Sequence, residues 1–229
     1  MLPSAALLIA VIGSAAALRI KSVTHSGPAC PQTDRLTWSG GLDDLIIALP
    51  DFSETLAAGQ MTSCQVHLLI DEGESGKALL LQDITLSGGL YLSSNTKVDF
   101  YTTAYWSETA SDTVTKSTST ASGSAVVFRN VDVAQRVNSV SPCTGGDGYV
   151  GILNVTFRII SQGGGLVIFG KEQIDLPWNI STTKFRITTI PHHLELQYAF
   201  QYALNRHCEK PQTHVTDDPV PRVVVANAM

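Results

Sequence analysis

The clearest pattern in the chain is the strict alternation over Lys97–Trp106, KVDFYTTAYW. Val98, Phe100, Thr102, Ala104 and Trp106 fall on one face of an extended strand, and Asp99, Tyr101, Thr103 and Tyr105 on the other. Period two with one apolar side predicts a strand that buries one face and leaves the second partly wet. Cys64–Ile70, CQVHLLI, alternates and then becomes continuously apolar, as a buried strand does. Shorter apolar pieces recur at Ala78–Leu81, Ile84–Leu86, Leu90–Leu92, Ala125–Phe128, Val150–Ile160, Leu166–Phe169 and Phe185–Ile190, and two extended pieces flank Gly40-Gly41. About nine short strands with Gly, Ser and Asn between them predict an all-β fold, an antiparallel β-sandwich. Gly163-Gly164-Gly165 lacks a following Lys-Ser/Thr, so it is no phosphate loop; it reads as a hairpin turn between Phe157–Ile160 and Leu166–Phe169.

Three segments depart from this pattern. Residues 107–124 hold eleven Ser or Thr in eighteen positions and read as a solvated loop. Residues 191–208 begin at Pro191 and place Leu196, Phe200, Ala203 and Leu204 at helical spacing, which predicts a C-terminal helix. Residues 209–229 carry three prolines without any period and read as a disordered tail. At the other end, residues 1–17 form an uncharged apolar run closing on Ala15-Ala16-Ala17, the pattern of a cleaved signal peptide. That leaves residues 18–190 as the sandwich domain.

Charge narrows the partners. The net charge is −5, only 15% of residues are charged, and no basic stripe is present, which argues against nucleic acid. No later run is long enough to cross a bilayer, so stable membrane insertion is not expected. The leader points to secretion, and secretion permits disulfides and glycans. Cys30, Cys64, Cys143 and Cys208 allow three pairings; the compact loop closed by Cys30–Cys64 favours that pair together with Cys143–Cys208. Asn154-Val155-Thr156 and Asn179-Ile180-Ser181 are N-glycosylation triplets, and Asn154 must point outward from its strand to be used.

Catalytic chemistry is not announced by any motif. There is no G-x-S-x-G elbow, so a catalytic residue is not assigned. His192, His193, His207, Cys208 and His214 cluster in sequence but as adjacent pairs that cannot easily share one ion, so neither a metal nor another cofactor is expected. Asp43-Asp44, Asp51 with Glu54, and Asp71-Glu72 with Glu74 could supply paired carboxylates for glycan hydrolysis, but each group falls at a turn, where acids serve local hydrogen bonding. The strongest functional signal is aromatic: Tyr101 and Tyr105 share the wet face of one strand, and with Trp38 and Trp178 elsewhere they are candidates for stacking on sugar rings.

Four stretches in order carry a family resemblance. Gly27-Pro28-Ala29-Cys30-Pro31 resembles the Gly-x-x-Cys-Pro opening of a family of small, mainly fungal secreted proteins known as domain of unknown function 4360. Leu45–Phe52, then Ser63-Cys64-Gln65-Val66, then Ser141-Pro142-Cys143 with Leu153-Asn154-Val155 are similar to its later motifs. The final Trp and Cys of that family are not matched in spacing, since Trp178 stands thirty residues before Cys208 with the predicted helix between. The resemblance implies a compartment and a fold, not a reaction. The leading expectation is a secreted, non-enzymatic protein binding extracellular glycans of a wall or host surface, or a small hydrophobic molecule. An accessory enzyme or auxiliary protein of a secondary-metabolite biosynthetic pathway and a structural wall component are the alternatives, and the oligomeric state is left open.

Overall fold

The computed structural model describes residues 18–170 and the backbone of residues 194–203. Twelve strands lie within them: β1 (Arg19–Ser26), β2 (Thr37–Ser39), β3 (Leu45–Leu49), β4 (Ser53–Leu56), β5 (Met61–Asp71), β6 (Ala78–Leu92), β7 (Thr96–Trp106), β8 (Val114–Ala121), β9 (Val127–Val140), β10 (Gly151–Gly163), β11 (Val167–Gly170) and β12 (Leu194–Ala203). A 3-10 turn, Ser107–Asp112, joins β7 to β8. The pairings are antiparallel throughout.

Five strands form one sheet in the order β1-β5-β10-β7-β8. The second sheet, of seven, is organised by β6, which is long enough to take two strands end to end. Along one edge Ala78–Ser87 pairs with β12 and Gly89–Leu92 with β11; along the other, β9 runs nearly the whole length. The two sheets close on a core fed by alternate residues of each strand. Cys64, Val66, Leu68 and Ile70 of β5, Val98, Phe100, Ala104 and Trp106 of β7, and Leu153, Val155, Phe157 and Ile159 of β10 are all buried. Rings meet across the gap: Phe100 packs edge-on to Phe169 at 5.0 Å, and Phe52 lies 5.6 Å from Phe157 and 6.2 Å from Phe169. Edge and tilted ring contacts at these distances add to the area they bury.

The sandwich departs from the sequence reading in several places. The expected C-terminal helix is a strand where it is described: β12 lies between β3 and β6. The spacing Leu196, Phe200, Leu204 is i, i+4, i+8, which is one face of a helix and equally one face of a strand. Two open sheet edges supplied the backbone partners that decided between them. The Ser/Thr-rich stretch is not a loop, because Val114–Ala121 pairs with Lys97–Ala104 as the edge strand β8. Hydroxyl side chains suit such a half-wet edge. Gly163–Gly165 is not a hairpin, since β10 and β11 lie in different sheets and the triplet carries the chain across the end of the sandwich. A Cβ on Gly165 would come within 2.0 Å of both Ser93 Oγ and Thr96 Oγ1, so the crossing needs glycine there. Finally, the three short pieces between Ala78 and Leu92 are one strand with an irregularity between Leu81 and Asp83.

Cys30 and Cys64 form a disulfide, with Cα atoms 5.4 Å apart. It ties the turn after β1 to the middle of β5. Gly27, at φ +140°, makes the approach possible, because a Cβ there would sit 2.6 Å from the Ser63 carbonyl oxygen. Cys143 is also disulfide-bonded. Its expected partner Cys208 lies outside the described residues, as do the leader, Trp178, Asn179, the strand expected at Phe185–Ile190 and the tail.

Candidate functional site

The outer face of the five-stranded sheet collects the polar residues that alternate with the core. Register fixes three rows across it. Thr24, His67, Asn154 and Tyr105 form one; Ser26, Gln65, Thr156, Thr103 and Thr115 the next; Ser63, Arg158, Tyr101 and Ser117 the third. Tyr101 and Tyr105 are therefore on the same face of the strand β7, two positions either side of Thr103. At about 3.4 Å of rise per residue their Cα atoms are separated by roughly 13 Å along the strand.

Both rings are half-buried, and they differ in their surroundings. The Tyr105 hydroxyl accepts a hydrogen bond from Gln65 Nε2 at 3.0 Å, which leans the ring over β10. No acceptor for its own proton is found among the described residues. Tyr101 has Arg158 directly opposite, and that guanidinium is exposed, with no ion pair among the described residues.

Asn154 is the node of this face. It points outward from the sheet yet is only 4% exposed, because its neighbours close over it. Its Nδ2 donates to Ser107 Oγ at 2.8 Å and to the Ile152 carbonyl at 3.2 Å. A carbonyl can only accept, so the amide nitrogen must be at that end and Oδ1 must face His67. Oδ1 lies 2.6 Å from His67 Nδ1, which must then carry the ring proton. That leaves Nε2 as an acceptor, and Ser26 Oγ lies 3.3 Å from it. The 3-10 turn that presents Ser107 is itself pinned: Glu108 accepts from the Tyr149 hydroxyl at 2.5 Å and from the Ile152 backbone N–H at 3.2 Å. Bonding to Glu108, with burial and nearby negative charge adding to it, pushes the Tyr149 hydroxyl up to about 12.

Asp99 is a second buried polar group on this face, at 3% exposure. It accepts from Ser119 Oγ at 2.5 Å and from Gln162 Nε2, and pairs with Lys97 at 2.9 Å. Burial pushes its carboxyl up, but the bonds from Ser119 and Lys97 and the Lys97 charge outweigh it and hold the pKa below the ordinary value.

The remaining candidates are dispersed. Asp51 takes a two-pronged contact from Arg35 at 3.0 Å, Asp44 accepts from the Gly41 N–H at 2.6 Å, Asp71 pairs with Lys21, Glu72 with Arg19 and Glu74 with Lys77. Glu54 is half-buried, and desolvation raises its pKa. Trp38 is exposed on β2, at an edge of the other sheet, remote in topology from the two tyrosines. His192, His193, His207 and His214 lie outside the described residues; among the described ones no group of three or more metal-ligating side chains converges. No described helix is long and apolar enough to cross a membrane. Sequence reasoning missed Ser26, Gln65, His67, Ser107 and Arg158. The signal for His67 was present: it is a polar residue at an alternate position of CQVHLLI, between Val66 and Leu68, which are both buried.

Comparison with known proteins adds a family. The model of the family described as Domain of unknown function (DUF4360) matches residues 16–181. No curated protein matches. Among solved structures, similarity is found to TmCBM61 in complex with β-1,4-galactotriose (8% identity, 66% of this chain and 86% of that one, TM-score 0.27). It is also found to a non-crystalline cellulose specific carbohydrate-binding module, CBM28 (12% identity, 64% and 83%, TM-score 0.29). A third is the N-terminal cellulose-binding domain from Cellulomonas fimi β-1,4-glucanase C (13% identity, 79% and 88%, TM-score 0.27). These scores are too low to carry a functional likeness.

Proposed function

The chain belongs to the DUF4360 family, and we propose that it is a secreted protein that binds extracellular glycans on the outer face of its five-stranded sheet. The observation that carries this reading is the placement of Tyr101 and Tyr105 on one face of β7 with hydrogen-bonding groups beside each ring. A sugar ring offers an apolar face to stack and a rim of hydroxyls to satisfy, so a binding surface needs aromatic area and polar groups at the same level. Here Gln65 fixes the Tyr105 hydroxyl, and Arg158 stands next to Tyr101 with its donors uncommitted among the described residues. The sheet backbone is already ordered, so binding there carries little ordering cost, which favours affinity. Export rests on the leader of residues 1–17 and agrees with the Cys30–Cys64 disulfide, which persists in oxidising compartments.

The test is co-sedimentation with insoluble cellulose, chitin and β-1,3-glucan. Tyr101→Ala with Tyr105→Ala is expected to reduce retention on the bound polysaccharide by roughly fivefold or more, at about 0.5–1.5 kcal/mol for each stacked ring. Retention unchanged in the double variant, or no retention of the wild type on any of the three, would overturn the reading.

A further inference from the structure

We propose that Ser26, His67 and Asn154 form a nucleophile, general base and positioning residue that hydrolyse a carboxylic ester. The hydrogen-bond chain has a direction that its donors and acceptors dictate. The Ile152 carbonyl fixes the amide of Asn154, the amide oxygen fixes the proton on His67 Nδ1, and the free lone pair on Nε2 faces the Ser26 hydroxyl. A serine becomes a nucleophile when an imidazole in the right tautomer can take its proton and a third group holds the ring in place. An asparagine serves that third role in some cysteine proteases, so a carboxylate is not required. The 3.3 Å between Oγ and Nε2 is a resting contact of the kind that tightens when a substrate draws the proton.

The surroundings suit a reacting group. Ser26 and His67 are partly exposed, whereas Asn154 is buried, so the nucleophile and base are open to a ligand and the residue behind them is closed to water. The nucleophile sits at the end of β1, followed by Gly27, and the Cys30–Cys64 disulfide ties this turn to the strand that bears His67. Cys30 Sγ lies 3.5 Å from the Ser26 carbonyl oxygen, so the cross-link reaches the nucleophile's own backbone. Gln65, paired across the strands with Ser26, donates to the Tyr105 hydroxyl.

In the first step the Ser26 proton passes to His67 Nε2 while Oγ forms a bond to the acyl carbon. The ester C–O bond then breaks, and the leaving alkoxide takes the proton from Nε2, giving an acyl-serine and a free alcohol. In the second step water gives a proton to Nε2 and its oxygen attacks the acyl carbon; Ser26 Oγ leaves and recovers the proton. The net reaction is ester plus water to acid plus alcohol, with no further reactant.

The experiment uses the full, disulfide-bonded chain and reads neither glycan binding nor the two-tyrosine variant, so it fails or succeeds independently of the proposed glycan role. A fluorophosphonate probe is added, the adduct is located by peptide mass spectrometry, and p-nitrophenyl acetate turnover is followed from pH 5 to 9. One adduct on Ser26 is expected. Turnover should fall roughly 10²–10⁴-fold in Ser26→Ala and His67→Gln. Asn154→Ala should lose most of the turnover, whereas Asn154→Asp should restore it with the pH profile shifted upward, because a carboxylate favours the imidazolium. A purely structural network would give no such displacement. Absence of a Ser26 adduct on the wild-type chain, or turnover equal in Ser26→Ala, would overturn the proposal without depending on any variant's folding.

Discussion

The two outer faces of the sandwich obey the same alternation and come out differently. On the seven-stranded sheet the outward residues Phe128, Ala134 and Arg136 of β9 are exposed. Phe128 is 59% exposed beside Tyr91, and Arg136 with Asp83 makes an exposed ion pair at 3.2 Å. On the five-stranded sheet the outward residues bond to each other across strands until Asn154 and Asp99 are as buried as core residues. A period-two pattern says only which side chains leave the core. Whether they meet water or one another depends on their lengths and cross-strand partners. A network of buried, mutually satisfied polar groups is rigid, and rigidity is what a binding or reacting surface requires.

The contrast can be broken at several points. Replacing both Cys30 and Cys64 with Ser is expected to cost about 3–4 kcal/mol in guanidinium unfolding, from the chain entropy of a loop closed over 34 residues. A much smaller loss would mean that the turn after Ser26 is held without the cross-link. Asn154→Ala should cost about 1–3 kcal/mol, since it orphans the His67 Nδ1–H on a closed face. Phe128→Ala, on the open face, should stay within about 0.5 kcal/mol. Equal losses would erase the distinction between the faces.

Acid sharpens it further. Asp99 has its pKa depressed in the folded state, so it contributes stability above its unfolded value of 3.8, and that contribution is lost as pH falls through the lower folded value. Asp71 is held low in the same sense by the Glu72 N–H and Lys21. Asp99→Asn should therefore flatten the fall in stability below about pH 4 without abolishing it. The smallest expected effect concerns glycosylation. Both hydrogens of the Asn154 amide are already donated inside the face, and a glycan would replace one of them. Peptide mapping after expression in a secretory host is expected to find Asn154 unmodified, and Thr156→Val should remove no glycan mass.

Much of the sandwich was legible locally. The alternation of KVDFYTTAYW placed Tyr101 and Tyr105 on one face, and the 34-residue interval favoured Cys30–Cys64. The helix expected beyond Pro191 failed because positions four apart share a face in either geometry, and only the open edges of β3 and β6 could distinguish them. The cluster at Asn154 was illegible for another reason. Its contacts join residues 41 and 87 positions apart, and nothing near His67 in sequence marks it as a partner of Ser26 or Asn154.

By itself the sequence determined the all-β class, the inward residues of the long strands and the order of the family's motifs. These follow from side-chain hydrophobicity repeating along a pleated backbone. The tertiary structure alone decided the register. Sliding one strand by a single residue would turn His67 or Asn154 into the core, and only the packing of two whole sheets fixes which residues face each other. The polar node, and whatever chemistry it performs, exists because that register brings Ser26, His67 and Asn154 together.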